Sequence, residues 1–174
     1  EQQNAELQRT LAELEESRHS IEQNNAELRY LATRDPLTGC LNRRAFFEAF
    51  ESALEDARAK GEELCCAMID IDHFKQVNDK FGHGTGDRVI AFVAETIRLS
   101  VRASDVVGRY GGEEYCVIFP ARTVDEGARV LERIREAVIR GASARFTSSL
   151  RLTVSCGLSQ RLPEDAHASA LLER

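Results

Sequence analysis

The sequence has no apolar run approaching the ~18–20 residues needed to cross a bilayer, and no secretory signal pattern. It also lacks the CxxC spacing of a zinc or redox site. The five cysteines, Cys40, Cys65, Cys66, Cys116 and Cys156, lie mostly inside apolar stretches. They read as buried, reduced thiols of a cytoplasmic protein whose parent could carry a membrane anchor upstream. Positive charge is in deficit as well. The net charge is −6 and the isoelectric point about 5.3, which argues against nucleic acid as a partner and against a membrane-surface patch. A nucleotide ligand would need metal ions and local basic groups. What remains is a chain of 174 residues, 43% hydrophobic and 30% charged, enough for one domain with a full core plus additional helix.

Glycine and proline are missing from residues 1–33, a stretch rich in Glu, Gln, Leu and Ala. Leu7, Leu14, Ile21 and Leu28 recur at heptad spacing, and the second seam position holds Asn4, Leu11, Arg18, Asn25 and Ala32. This pattern predicts a two-stranded coiled coil, although a lone amphipathic helix lying on a domain is the alternative. Polar Asn4 and Asn25 sacrifice packing and favour a parallel dimer in fixed register. Arg18 must lay its stem along the seam and send its head to water. At 1.5 Å per residue the helix extends roughly 50 Å, too long to pack wholly on a small domain. Residues 1–33 are therefore expected to form a dimerisation and signalling stalk.

RDPLTGCLNRR (34–44) breaks that helix at Pro36 and Gly39. An amphipathic helix then runs from Arg43 through Phe46, Phe47, Phe50 and Leu54 to about Lys60, ended by Gly61. LCCAMIDI (64–71) reads as a strand covered on both faces. Residues 72–87 read as a polar loop with short helical pieces, and Val89, Ile90, Val93 and Ile97 mark a helix to about residue 100. VVGRY and EYCVIF flank Gly111-Gly112 and predict a hairpin whose glycines tolerate positive φ. A helix over residues 124–138, a strand over 150–160 and a final helix at ASALLER complete the order αβααββαβα. The expected fold class is α/β, a mixed central sheet flanked by helices, in a domain spanning 34–174.

Asp70 ends the first strand and Glu113 lies at the hairpin tip. If the strands are neighbours, both carboxylates reach one rim and could hold a hard divalent cation through oxygen. The glycines would then leave space for a phosphate; an ordinary Gly-Gly hairpin with solvated glutamates is the bland alternative. Asn78 and Asp87 flank Gly82, Gly84 and Gly86. An Asp carboxylate can accept from guanine N1–H and N2–H₂ together, with Asn adding a polar contact; simple loop capping is the alternative.

RDPLTGCLNRR, DIDHFKQVNDKFGHGTGD and RYGGEEY, in that order, resemble the GGDEF-domain diguanylate cyclases over roughly residues 34–172. The resemblance implies a fold similar to the palm of adenylyl cyclases and some polymerases. It also implies condensation of two GTP molecules into cyclic di-GMP with release of two pyrophosphates. By resemblance, Asp70, Glu113 and the carbonyl of Ile71 bind Mg²⁺, with Mn²⁺ as a substitute. Gly111 and Gly112 make room for the triphosphate, and Asn78 and Asp87 read guanine. Lys75 neutralises phosphate charge beside the backbone amides of Phe74 and its neighbours. Glu113, Glu114 and Lys75 form the catalytic set, the role of Glu114 staying open among metal binding, base recognition and proton transfer. Asp72 shares the strand face of Asp70 and is a weaker metal candidate. Arg102 and Asp105 match the family's RxxD inhibitory site, where Arg can donate to guanine O6 and N7 and Asp can accept from the opposite edge. The symmetric product implies a homodimer, each subunit holding one GTP, joined by the stalk and driven by an upstream sensor. A catalytically silent module that senses GTP or cyclic di-GMP is the alternative.

Two features depart from the family pattern. Tyr115 stands where Phe is usual, with little effect expected. The chain also stops at Arg174, before the Lys/Arg-bearing ADxALYxAKxxGRN stretch that follows in the family. The C-terminal end is accordingly expected to be incomplete, with weak turnover if the protein ends there.

Overall fold

A helix free of Gly and Pro opens the chain. In the computed structural model, which describes the backbone of residues 2–147 and 149–174, α1 is Gln2–Thr33. Within α1, side chains are described for Gln8 and from Leu14 onward, so the seam residues Asn4, Leu7 and Leu11 lie outside the described side chains. The chain divides into two units, 1–34 and 35–174. In the first, Leu14, Ile21 and Leu28 of the heptad seam are all more than half exposed, while Arg18 reaches Glu22 one turn on, at 3.7 Å. No helix among the described residues is long and apolar enough to cross a membrane.

The second unit comprises α2 (Arg43–Lys60), β1 (Leu64–Ile71), α3 (Phe74–Phe81), α4 (His83–Ser100), β2 (Val106–Arg109), β3 (Glu114–Pro120), α5 (Val124–Arg145), β4 (Val154–Gln160) and α6 (Ala168–Leu172). The order is the one the sequence pattern predicts. Local chemistry sets the helix ends. Asn42 caps α2 by accepting from the Ala45 amide, and Gly61 closes it at φ 67°. Thr123 and Glu126 form a reciprocal capping box at the start of α5.

The strands lie in the order β2-β3-β1-β4. All three pairings are antiparallel, which corrects the expectation of a mixed sheet. β1 and β2 do run in the same direction, but β3 inserts between them, so no parallel ladder forms. Among the described residues the one parallel link is an isolated bridge between Leu41 and Gly108. The α/β class and the flanking helices stand. Alternation along β1 divides the core in two. Cys65, Ala67, Ile69 and Ile71 join side chains of α3, α4 and α5 on one face. Leu64 and Cys66 join Phe46, Phe50, Leu54 and Leu171 from α2 and α6 on the other.

Residues 72–87 are more regular than their polarity suggests. Gly82, at φ 82° and ψ 158°, is the only residue between α3 and α4, and Gly84 and Gly86 fall in the first turns of α4. The cysteines also need a correction: four are buried, but Cys156 on the edge strand β4 is exposed. Burial pushes the Cys65 thiol up to about 11, helped by nearby Glu63, which keeps it protonated and inert at neutral pH.

Tyr115 lies fully buried on β3, and its hydroxyl donates to the Ile90 carbonyl at 2.7 Å. The extra oxygen relative to Phe is therefore satisfied and ties the sheet to α4. Tyr115→Phe should lower unfolding stability by about 1 kcal/mol, the net worth of one such bond. Chemical denaturation should show this as a lower midpoint with unchanged slope.

A carboxylate rim at the end of the central strand

β1 carries its acidic residues only where it leaves the core. In the antiparallel register Asp70 faces Glu114 on β3 and Ser155 on β4. One residue on, the Ile71 side chain is buried and its amide donates to the Glu113 carbonyl at 3.3 Å. The two strands thus bring Asp70, Ile71, Glu113 and Glu114 to one rim. The crowding has a measurable consequence: burial first, then the charges of Glu113, Glu114 and Asp72, raise the Asp70 carboxyl above its ordinary range. This is a donor set of hard oxygens with excess negative charge, and it fits a divalent cation. Among the described residues no group of three or more His, Cys, Asp or Glu side chains converges as a complete metal cage.

Asp72 behaves differently. Thr153 Oγ1 donates to one of its oxygens at 2.5 Å and Ser155 Oγ to the other at 2.6 Å. Burial alone would raise its carboxyl, but these hydroxyls and the charge of His73 hold it below the ordinary range. Each oxygen thus accepts from one hydroxyl, which fastens Asp72 to β4 and to the residue before it.

The hairpin tip is held from outside. Arg109 donates through Nη1 to both carboxylate oxygens of Asp35 at 3.0 Å. It also reaches the carbonyls of Gly111 and Gly112, at 3.2 Å through Nε and 2.8 Å through Nη2. Asp35 accepts from the amide and hydroxyl of Thr38. Burial alone would raise its carboxyl, but these bonds and the Arg109 charge hold it low. Sequence reading missed this clamp because Asp35 and Arg109 stand 74 positions apart. The available signal was an acid and an arginine inside two quoted motifs.

Gly111 and Gly112 do not adopt positive φ, which corrects the turn argument. A Cβ on Gly111 would lie 2.4 Å from Glu114 Oε2, whereas at Gly112 it would meet open space. At Gly111 the neighbour is the end of a flexible side chain that can move aside, and Gly112 leaves the rim open.

The chain turns sharply after the rim. His73 has φ 57° and precedes α3 without a side-chain cap. The amides of Gln76 and Val77 donate to the His73 carbonyl, and those of Phe74 and Lys75 occupy helix positions that have no intrahelical acceptor. Phe74 is buried, whereas Lys75 is exposed and has no ion-pair partner among the described residues. On the next turn Asn78 Oδ1 is buried without a hydrogen-bond partner. A Cβ on Gly86 would sit 1.9 Å from that oxygen, so Gly86 is what admits the carboxamide. Asp87, exposed, is the next residue along α4.

The expected product site is only half presented. Arg102 is exposed, but the Asp105 carboxylate is enclosed. It accepts from Arg122 Nη2 at 2.7 Å and from the Arg102 amide at 2.9 Å. The carboxylate that was to receive a guanine edge is occupied by Arg122, because position 105 faces inward beside β2.

The crowding of Asp70 carries a sign. Its folded-state pKa lies above the ordinary 3.8, so ionising it destabilises the fold as pH rises through that raised value. Asp70→Asn should therefore be more stable than the parent at pH 7 without metal, by roughly 0.5 kcal/mol, the scale of a cross-strand pair. The advantage should shrink as pH falls towards 4; thermal melts across pH check this.

Residues 32–174 match the family described as "Diguanylate cyclase, GGDEF domain". The chain is 36% identical over 146 residues to diguanylate cyclase DgcP of Pseudomonas aeruginosa, covering 84% of this chain and 22% of that protein. It is 38% identical over 141 residues to cyclic di-GMP phosphodiesterase NbdA of the same organism, covering 81% and 18%. The chain thus spans less than a quarter of either relative. Among solved structures, the coiled coil and GGDEF domain of DgcB from Caulobacter crescentus, in complex with c-di-GMP, is similar at a TM-score of 0.81 and 35% identity, covering 100% of this chain and 90% of that one. With the family model matched over residues 32–174, this chain belongs to the family described as "Diguanylate cyclase, GGDEF domain".

Proposed function

We propose that this chain condenses two GTP molecules into cyclic di-GMP, releasing two pyrophosphates, with one GTP held by each subunit of a homodimer. One observation carries the reading. Around a single end of β1 stand carboxylates that repel one another, helix amides without an intrahelical acceptor and a buried Asn78 oxygen without a donor. A metal-bound guanosine triphosphate would repair all three defects together.

In this reading Asn78 accepts from the guanine amino group and Asp87 from the remaining Watson–Crick donor edge. The amides of Phe74 and Lys75 and the Lys75 ammonium receive phosphate oxygens at the start of α3. Gly112 leaves room for them. Asp70, Glu113 and the Ile71 carbonyl would hold Mg²⁺ or Mn²⁺, which supplies positive charge against the phosphates and acidifies the attacking hydroxyl. The 3′-oxygen of one GTP bonds to the α-phosphorus of the other as the bond to the β-phosphate oxygen breaks, and two such steps close the ring. Glu114, lying across from Asp70 and folded over Gly111, keeps the rim acidic and stands within the same carboxylate group as a metal or proton-transfer residue.

The exposed stripe of Leu14, Ile21 and Leu28 supports a parallel stalk dimer that brings two half-sites together at high effective concentration. An upstream sensor would act through it. Arg102 is available to a guanine of the product, whereas engaging Asp105 as well requires Arg122 to release it. The second reading, a module that binds nucleotide without converting it, draws on the likeness to NbdA, whose name records a phosphodiesterase.

Incubation with GTP and Mg²⁺, followed by chromatography, should yield cyclic di-GMP, and Glu113→Ala should abolish it. Bound but unconverted GTP in the parent chain would favour the second reading. Gly86→Ala should displace the Asn78 carboxamide and weaken GTP binding at least tenfold, at about 1–3 kcal/mol of stability for the overpacking, as calorimetric titration and melting can measure. Asn25→Leu should strengthen the stalk dimer, lowering its dissociation constant in sedimentation equilibrium.

A further inference from the structure

The hydrogen bonds made by Asp72 are not used by the chemistry above. Asp72 stands between Ile71, the last residue of β1, and His73, the left-handed residue that turns the chain into α3. Its two carboxylate oxygens accept from Thr153 and Ser155, and its amide donates to the Thr153 carbonyl at 3.1 Å. Three bonds therefore fasten this one residue to β4 and to the segment leading into it. Immediately beyond, His73 holds φ 57°, a conformation that L-residues rarely adopt and that persists only when its surroundings impose it. The His73 side chain makes no cap bond to α3, so the kink is held by what flanks it: the Asp72 clamp before, and buried Phe74 and Val77 after.

The choice of partner is selective. Ser155 faces Asp70 in the β1–β4 register, yet its hydroxyl donates to Asp72. Of two nearby carboxylates, Asp72 just beyond β1 accepts from two hydroxyls, whereas Asp70 within it is left among like charges. The first can hold backbone in place, and the second stays available to a ligand.

We propose that Asp72 is a positioning residue: clamped by Thr153 and Ser155, it holds the His73 kink and so fixes the first turn of α3 where it cradles a polyphosphate. The identity of that polyphosphate as GTP rests on the cyclase reading; the clamp itself does not. Loss of the hydroxyls frees the kink, the first turn of α3 frays, and the cost falls on phosphate binding while the guanine contacts of Asn78 and Asp87, a turn further on, persist.

The test uses the full chain with Thr153→Val and Ser155→Ala combined, both at exposed positions, and Thr153→Ser as the conservative control. Without nucleotide, hydrogen exchange at the Gln76 and Val77 amides, which report the kink through their bonds to the His73 carbonyl, should accelerate about tenfold in the double variant. Ten-fold is the scale of one hydrogen bond to a charged group. Exchange in the middle of β1 should not change, and Thr153→Ser should behave as the parent. With Mg²⁺, affinity for a non-hydrolysable α,β-methylene GTP should fall about tenfold while affinity for guanosine stays constant. Unchanged exchange at Gln76 and Val77 overturns the proposal, as does equal weakening of guanosine and the triphosphate analogue. If the parent chain binds no GTP analogue, the cyclase reading fails while the exchange measurement still decides the clamp.

Discussion

The pairing of β1 with β3 is the constraint on which the site depends. β1 is central and covered on both faces, so it can carry a charged side chain only at its end, and the register fixes what that end meets. With Asp70 set against Glu114 and the Ile71 amide bound to the Glu113 carbonyl, three acids share a rim, and among the described residues no salt bridge to a cationic side chain is formed by them. Like charges opposite one another in a sheet destabilise it. The fold tolerates this arrangement because two buried core clusters stabilise the same strands, and the repulsion is available for relief by a ligand.

Two ion pairs hold the two ends of the β2–β3 hairpin. Arg109 spends its donors on Asp35 and on the carbonyls of the glycine turn, so it shapes the tip without neutralising Glu113 or Glu114. Arg122 is enclosed with Asp105, at 4% and 0% side-chain exposure, where removing one partner would strand a buried charge at a cost of about 3–5 kcal/mol. Only the Arg109 pair lies at the rim; Asp105 and Arg122 sit at the opposite end of the β2–β3 hairpin and fasten it there. Helix-end dipoles then provide the local positive potential an anion needs in a chain whose net charge is −6.

Much of this was legible in the residues. Apolar runs and helical spacing anticipated the order of elements in the second unit, because that spacing follows directly from which face is buried. That Asp70 and Glu113 reach one rim was readable only on the assumption that their strands are neighbours, and the register supplies that adjacency. Residues 72–87 were less legible: their polarity suggested loop, but packing of Phe74 and Val77 on the sheet and of Gly86 on Asn78 supports two helices separated by Gly82 alone. The inward turn of Asp105 was hidden for the same reason. A surface Arg/Asp motif and a buried ion pair look alike until Arg122, seventeen positions away, is brought beside it.

By itself the order of residues determined the elements, the two-sided burial of β1 and the chemistry available at its end, since these follow from local spacing and side-chain type. Only the tertiary structure decided that the described strands pair antiparallel throughout and that Asp70 is left among like charges while Asp72 accepts from two hydroxyls. Those outcomes depend on which distant strand lies alongside, and register between segments far apart in the chain is set by the packing of the whole core.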